Sequence, residues 1–324
     1  NVWINDLEAN GIIGVDDDGN GFIDDIHGWD FFNDDPDPMP DNYNNMHGTH
    51  VAGIACAVTD NAKGVSGVSW NCEFMPISVG AHIVNGFEGI VYAAENGADV
   101  ISIADTTGYL IPGTEHNMHD FVLQLKDLFK KKKLNPKIAV HSHNDRGLAL
   151  ANALDGYRAG ADIIDATVLG LGERAGLVDL ATLMVVLKND FNVKKNWKTE
   201  KLVDLYQLVS QYSKIPIPVN FPVTGKNAFT HCAGVHTQAG AIDPVHYESL
   251  NPESSGRKRR IGLGHMSGLS SIKYELEQIG EKNLDEGLMA MILNQVKTVG
   301  KKGQIIDHNE LKHIVEWCKE HKAE

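Results

Sequence analysis

The chain has 324 residues, of which 42% are hydrophobic and 22% charged, with a formal net charge of −14. That composition belongs to a soluble globular protein with room for one large core or two ordinary ones. No apolar run approaches the roughly 20 residues needed to span a bilayer, and the acidic excess argues against a nucleic-acid partner.

The charge is unevenly spread. Residues 1–104 carry 17 Asp or Glu against a single base, Lys63, whereas residues 105–324 carry 26 acids and 28 bases. A half with one Lys and no Arg implies a cation-loving surface, and the contrast implies two regions with separate histories. Four cysteines (Cys56, Cys72, Cys232, Cys318) lie far apart without CxxC spacing, as expected of reduced thiols. The chain starts with Asn1 and shows no signal peptide, which points to processing or a fragment.

Taken in chain order, the first motif is Asp16-Asp17-Asp18-Gly19-Asn20-Gly21, continuing to Asp24-Asp25. Asp16, Asp18 and Asn20 alternate around a glycine turn, and Asp24 follows four residues on. Short oxygen ligands in that arrangement suit calcium. His27 stands where an EF-hand has its bidentate Glu, so the loop is not a regular EF-hand. Next, His47-Gly48-Thr49-His50-Val51-Ala52-Gly53 opens a helix whose small residues would let it lie close against a sheet.

HGTHVAG, with DDDGNGFIDDIHGWDF before it and GVSGVSW after it, resembles the subtilisin-like serine proteases over about residues 1–102. The resemblance makes His47 the general base of a catalytic triad. The family's DTG aspartate and GTSMAAP serine have no counterpart in this chain, so protease activity is expected to be absent.

Beyond Gly97 the chain alternates strands and helices. Val100–Ile103 reads as a strand, His119–Lys132 as a helix, Lys137–Val140 as a buried strand, and Gly147–Ala159 as a helix of small residues. Asp162–Val168 reads as a strand and Val178–Lys188 as a helix. Repeated βα units mean a parallel sheet, open or closed. His141 and His143 stand two apart at a strand end, so their imidazoles face one side and suit a divalent metal. The helix Glu310–Lys319 places Leu311, Ile314, Val315 and Cys318 on one face.

HSHND after that strand, GLGERAG some 30 residues on, and ADTTG at 104–108 together resemble the isopropylmalate and homocitrate synthase family. NAFTH with GVH, then Tyr247 with Asn251-Pro252, and GHMSG resemble that family's segments after its barrel, so the likeness covers about residues 98–315. It implies a TIM barrel and a metal-assisted Claisen condensation of acetyl-CoA with a 2-oxo acid. His141 and His143 would hold Mg, Mn or Zn, Thr106 would bind the substrate carboxylate, and His236 and Tyr247 would be the acid–base residues. A homodimer through the C-terminal subdomain is implied, as is a cytoplasmic location for this half; the first half would suit secretion.

The expected fold is therefore α/β: a parallel-sheet subtilase fragment (1–102) joined to a partial TIM (β/α) barrel (103–215), a helical post-barrel subdomain (216–280) and C-terminal helices (281–324). The family's first barrel strand, with its metal-binding Asp, should precede residue 98, where protease-like sequence stands. Both sites are thus expected to be incomplete.

Overall fold

The computed structural model describes residues 1–40, 46–80, 83–232, 243–303 and 305–322. Two compact units alternate along the sequence: residues 1–105, 109–141 and 152–164 form the first, and residues 106–108, 142–151 and 165–324 the second.

In chain order the elements begin with α1 (Asp6–Ala9), β1 (Trp29–Asp30), α2 (His47–Cys56), β2 (Ile77–Ser78), α3 (Ile83–Glu95) and β3 (Val100–Asp105). There follow α4 (Met118–Lys132), β4 (Lys137–Ser142), α5 (Ala149–Arg158) and β5 (Ile163–Ile164); β4 and α5 have residues in both units. Strands β1 and β2 pair in parallel, and β3-β4-β5 form a three-stranded sheet in which β4 and β5 are parallel, Ala139 opposite Ile163.

Helix α4 shows why these residues fold this way. Asn117 caps it by accepting from the Asp120 amide, Asp120 sits in its first turn, and Lys130, Lys131 and Lys132 fill its last, which complements the helix dipole at both ends. Met118, Val122, Leu125 and Phe129 make one apolar stripe, fully buried against Ile101, Ile103, Ile138 and Val140. Each such side chain stabilises the fold by roughly 1.5–3 kcal/mol. Phe87, Ile90, Ala93 and Ala94 of α3 pack on the same core. Helix α3 and strands β3 and β4 therefore share one core, and residues 102 and 103, the expected domain boundary, lie inside β3. Along β3, Ile101, Ile103 and Asp105 are buried while Val100, Ser102 and Ala104 are exposed. Only one face of the strand is covered, and no barrel closes among the described residues.

Two local expectations need correction. Helix α2 forms, but Val51 and Ile54 are exposed and, among the described residues, nothing lies within 4 Å of a Cβ placed on Gly48 or Gly53, so those two glycines touch no sheet. The strand expected over Asp162–Val168 shortens to β5; Thr167 makes an isolated parallel bridge to Asp179 before a turn over Val168–Gly170, with Leu169 at φ +62 and Gly170 at φ +63.

The second unit continues with α6 (Leu180–Asn189), α7 (Leu202–Ser213), β6 (Thr230–His231), β7 (Arg260–Ile261), α8 (Leu269–Gln278), α9 (Glu286–Gly300) and α10 (His308–His321). One core joins α6 to α7 through Val185, Leu202 and Tyr206. Another joins α8, α9 and α10 through Ile272, Ile292 and the expected α10 stripe of Leu311, Val315 and Cys318, with Ile314 packed beside it. Among the described residues, no helix is long and apolar enough to cross a membrane.

Candidate functional site

Within the second unit, Thr106–Gly108, Ser142–Asp145 and the loop carrying GLGERAG are tied together. His143 pairs with Leu177 in an antiparallel bridge, and the Asn144 amide donates to Gly176 O at 2.8 Å. The 170–177 loop closes on itself, the Leu177 amide donating to Gly170 O at 2.9 Å. Only glycine fits at its neck: Gly176 has φ +84, and a Cβ there would stand 1.8 Å from Gly170 O. At Gly108, φ +62, a Cβ would come within 2.9 Å of His143 O.

Arg174 is the clasp. Its Nε donates to Asp145 Oδ1 at 2.7 Å and its Nη2 to Asp145 Oδ2 at 3.0 Å, a bidentate pair, while Nη2 also donates to the carbonyl of Thr106. One planar cation thus joins all three motifs. Arg174 holds the Asp145 carboxyl below its ordinary range, and Asp145 raises the guanidinium in turn. Both groups face water, so the pair sets geometry more than stability. The loop leads into α6, where Asp179 caps the helix by accepting from the Thr182 amide at 3.0 Å. The buried Tyr206 hydroxyl donates to Asp179 at 2.5 Å and accepts from the Ala181 amide at 2.7 Å.

Of the expected residues, Thr106 is exposed with its carbonyl held by Arg174. Asp105, in the first unit, is buried and accepts from the amides of Tyr109 at 2.7 Å and Leu110 at 3.3 Å, so it shapes the turn. His141 and His143 are both half-buried, His141 in the first unit and His143 in the second. Among the described residues, neither belongs to a group of three metal-capable side chains, and Leu177, paired with His143, offers hydrocarbon. The donors present do not make up a shell for the divalent metal. His236 lies outside the described residues. Tyr247 is exposed and, with His231 and Glu248, lines a cavity of about 340 Å³ in the second unit. His47 is exposed at the start of α2, and no catalytic partner is recorded beside it among the described residues.

Beside Tyr247 lies a group the sequence reading missed. His231 Nε2 is 2.8 Å from Glu248 Oε1, and Arg259 donates to both Glu248 oxygens at 2.5 and 2.6 Å. Arg259, foremost, draws the Glu248 carboxyl below its ordinary value.

In the first unit the acidic loop forms as its spacing implies. Asp16 accepts from the Gly19, Asn20 and Gly21 amides, at 2.7, 3.1 and 2.9 Å. Asp16 and Asp18 converge with the buried Glu8, their oxygens within 4.8 Å of one another. Asp24 Oδ2 accepts from the Gly14 amide at 2.8 Å, and Asn20 Oδ1 accepts from the Phe22 amide at 2.7 Å. Glu8 lies on a one-turn helix ahead of the motif, where a loop template has no position for it.

Comparison with known proteins matches residues 45–209 to HMGL-like proteins and residues 223–304 to the homocitrate synthase post-HMGL domain-like family. The first match begins inside the subtilisin-resembling stretch, and nothing in the comparisons supports that resemblance. The chain is 36% identical over 227 residues to the 2-isopropylmalate synthase of Methanocaldococcus jannaschii, covering 69% of this chain and 42% of that one. It is 42% identical over 209 residues to the homocitrate synthase of Pyrococcus horikoshii, covering 64% and 55%. The 2-isopropylmalate synthase of Sulfurisphaera tokodaii is 37% identical over 222 residues, covering 68% and 55%. The chain thus spans about half the length of these curated relatives. By its profile match over residues 45–209, the chain belongs to the HMGL-like family.

Proposed function

We propose that the chain works as an acyltransferase of the 2-isopropylmalate or homocitrate synthase type, condensing acetyl-CoA with a 2-oxo acid. The observation that carries this reading is the Arg174 clasp, which gathers Thr106, Asp145 and the 170–177 loop into one site. In the reaction a base takes a proton from the acetyl methyl, the resulting carbon nucleophile adds to the ketone carbon, and the ketone oxygen is protonated. Hydrolysis of the thioester then releases CoA. The Thr106 hydroxyl donates to the substrate carboxylate from a turn that Arg174 fixes. Tyr247 and His236 serve as the acid–base pair, which a homodimer through the C-terminal subdomain would bring to the partner's site. Neither His141 nor His143 belongs to a group of three His, Cys, Asp or Glu side chains among the described residues, so the proton transfers rest on Tyr247 and His236.

The test is release of free CoA thiol from acetyl-CoA, with 2-oxoisovalerate, 2-oxoglutarate or pyruvate as acceptor and Mg, Mn or Zn supplied. Thiol release that requires one of these acids supports the reading. Release independent of the acid, or none with all three, sinks it.

A second reading concerns residues 1–102. Three carboxylates meeting at Glu8, Asp16 and Asp18, in a stretch without Arg, favour a calcium ion held there as a structural brace. Calcium, and not magnesium, should raise the melting temperature, and EDTA should reverse the shift; an unchanged melt rejects it. The subtilisin resemblance adds no activity, since His47 lacks a triad.

A further inference from the structure

The second unit holds a larger cavity, of about 870 Å³, lined by Lys226, the run Arg257–Arg260, Glu275, Asp307 and His308. Its charges do not cancel. Glu275 is taken by His308 Nε2 at 2.5 Å, and Asp307, near enough to feel Lys226, accepts from the Asn309 and Glu310 amides at 2.8 and 3.0 Å. Glu248 is shared by Arg259 and His231. Lys226, Arg257, Lys258 and Arg260 have no carboxylate at ion-pair distance among the described residues. Arg257 is half-buried and donates only to backbone, from Nη2 to Gly225 O at 2.9 Å and Lys226 O at 3.0 Å. Burial first, and then the charge of Arg260, push its guanidinium below the ordinary value. Cations crowded this way, one of them partly desolvated, are stabilised by an anion placed among them.

We propose that this cavity binds a ligand carrying adjacent phosphoryl groups, held by Lys226, Arg257, Lys258 and Arg260. Guanidinium forks match phosphate oxygens two at a time, and lysines add point charge. The volume suits a nucleotide-sized ligand better than a lone phosphate, since small-molecule sites run to about 300–1,000 Å³. The same diphosphate chemistry arrives either in a free nucleoside diphosphate or in the nucleotide end of CoA. The CoA arm rests on the condensation reading, whose co-substrate carries that group, whereas pyrophosphate and ADP binding test the cavity without it.

Calorimetric titration of the full chain with pyrophosphate, ADP, CoA and dephospho-CoA tests it. Pyrophosphate and ADP are expected to bind, more weakly as salt rises. The double variant Lys258→Glu, Arg260→Glu, both exposed positions, should weaken both by at least about tenfold with an unchanged melting temperature. CoA binding more than about tenfold tighter than dephospho-CoA names CoA as the source; equal affinities of ADP and CoA name the free nucleotide. Arg257→Lys serves as a second variant and should weaken pyrophosphate binding severalfold. No binding of any probe up to about 1 mM, or unchanged affinity in the double variant, overturns the proposal.

Discussion

Two carboxylates show how differently the acidic and the charge-balanced regions treat the same problem. Asp25, fully buried, accepts from Asn5 Nδ2 at 2.7 Å, Asn20 Nδ2 at 2.9 Å and the Tyr92 hydroxyl at 2.7 Å, with no Lys or Arg paired to it among the described residues. Burial outweighs those three donors, and its carboxyl is raised. Glu248, with a side chain 7% exposed, meets a bidentate arginine and is lowered. Neutral donors satisfy the lone pairs of a buried acid but leave its charge costly, whereas a cation settles both. The same contrast separates the Glu8–Asp16–Asp18 cluster from the Asp145–Arg174 pair.

The largest test of the comparison lies in its glycines. Gly176→Ala forces a Cβ to 1.8 Å from Gly170 O, whereas Gly19, at φ +73, has nothing within 4 Å. The first is expected to cost about 4 kcal/mol or more and the second about 1–2 kcal/mol, the left-handed backbone penalty alone. Denaturant midpoints decide, and equal losses would mean that the 170–177 loop is looser than described.

Next comes Arg174→Lys. A point charge cannot hold both Asp145 oxygens and the Thr106 carbonyl, so kcat/KM for CoA release should fall by about 10²-fold while the melting temperature barely moves.

Smaller again are the carboxylate partners. Glu248→Gln, which strands Arg259, should cost about 2–3 kcal/mol, and Tyr92→Phe, which removes one donor to Asp25, about 1.5 kcal/mol. If Tyr92→Phe costs as much as Glu248→Gln, the donor-only solution is as strong as the paired one.

The smallest effect is the pH profile, where the two groups carry opposite signs. Glu248 is depressed, so its contribution is present above its ordinary value of 4.5 and is lost as pH falls below it. Asp25 is raised, so the folded state binds its proton more tightly; stability declines as pH climbs from its ordinary 3.8 through the raised value. Glu248→Gln should flatten the acid limb and Asp25→Asn the decline above it, both read from denaturation midpoints across the pH range. A slope unchanged in Asp25→Asn removes Asp25 as its source.

Much was legible in the sequence because it is local. The periods of α4 and α10, the apolar runs of β3 and β4, and the turn residues around them depend on neighbours within a few positions, and these elements stand where the patterns put them. HSHND and GERAG marked the loops that meet, yet neither motif says that Asp145 and Arg174, 29 residues apart, form the clasp. Nor could the spacing of Asp16, Asp18 and Asn20 name Glu8, or the basic run at 257–260 show which of its members Glu248 already neutralises.

What the sequence determined by itself was family, charge contrast and helix periodicity, each a property of residues read one stretch at a time. Tertiary structure alone decided which carboxylate keeps its charge and which cation stays unpaired. Those outcomes turn on burial and on partners distant in sequence, and a buried charge costs more than any local preference can offset. The helix before residue 98 and the strands after it fold into one core, in keeping with a single family match that runs across residue 98.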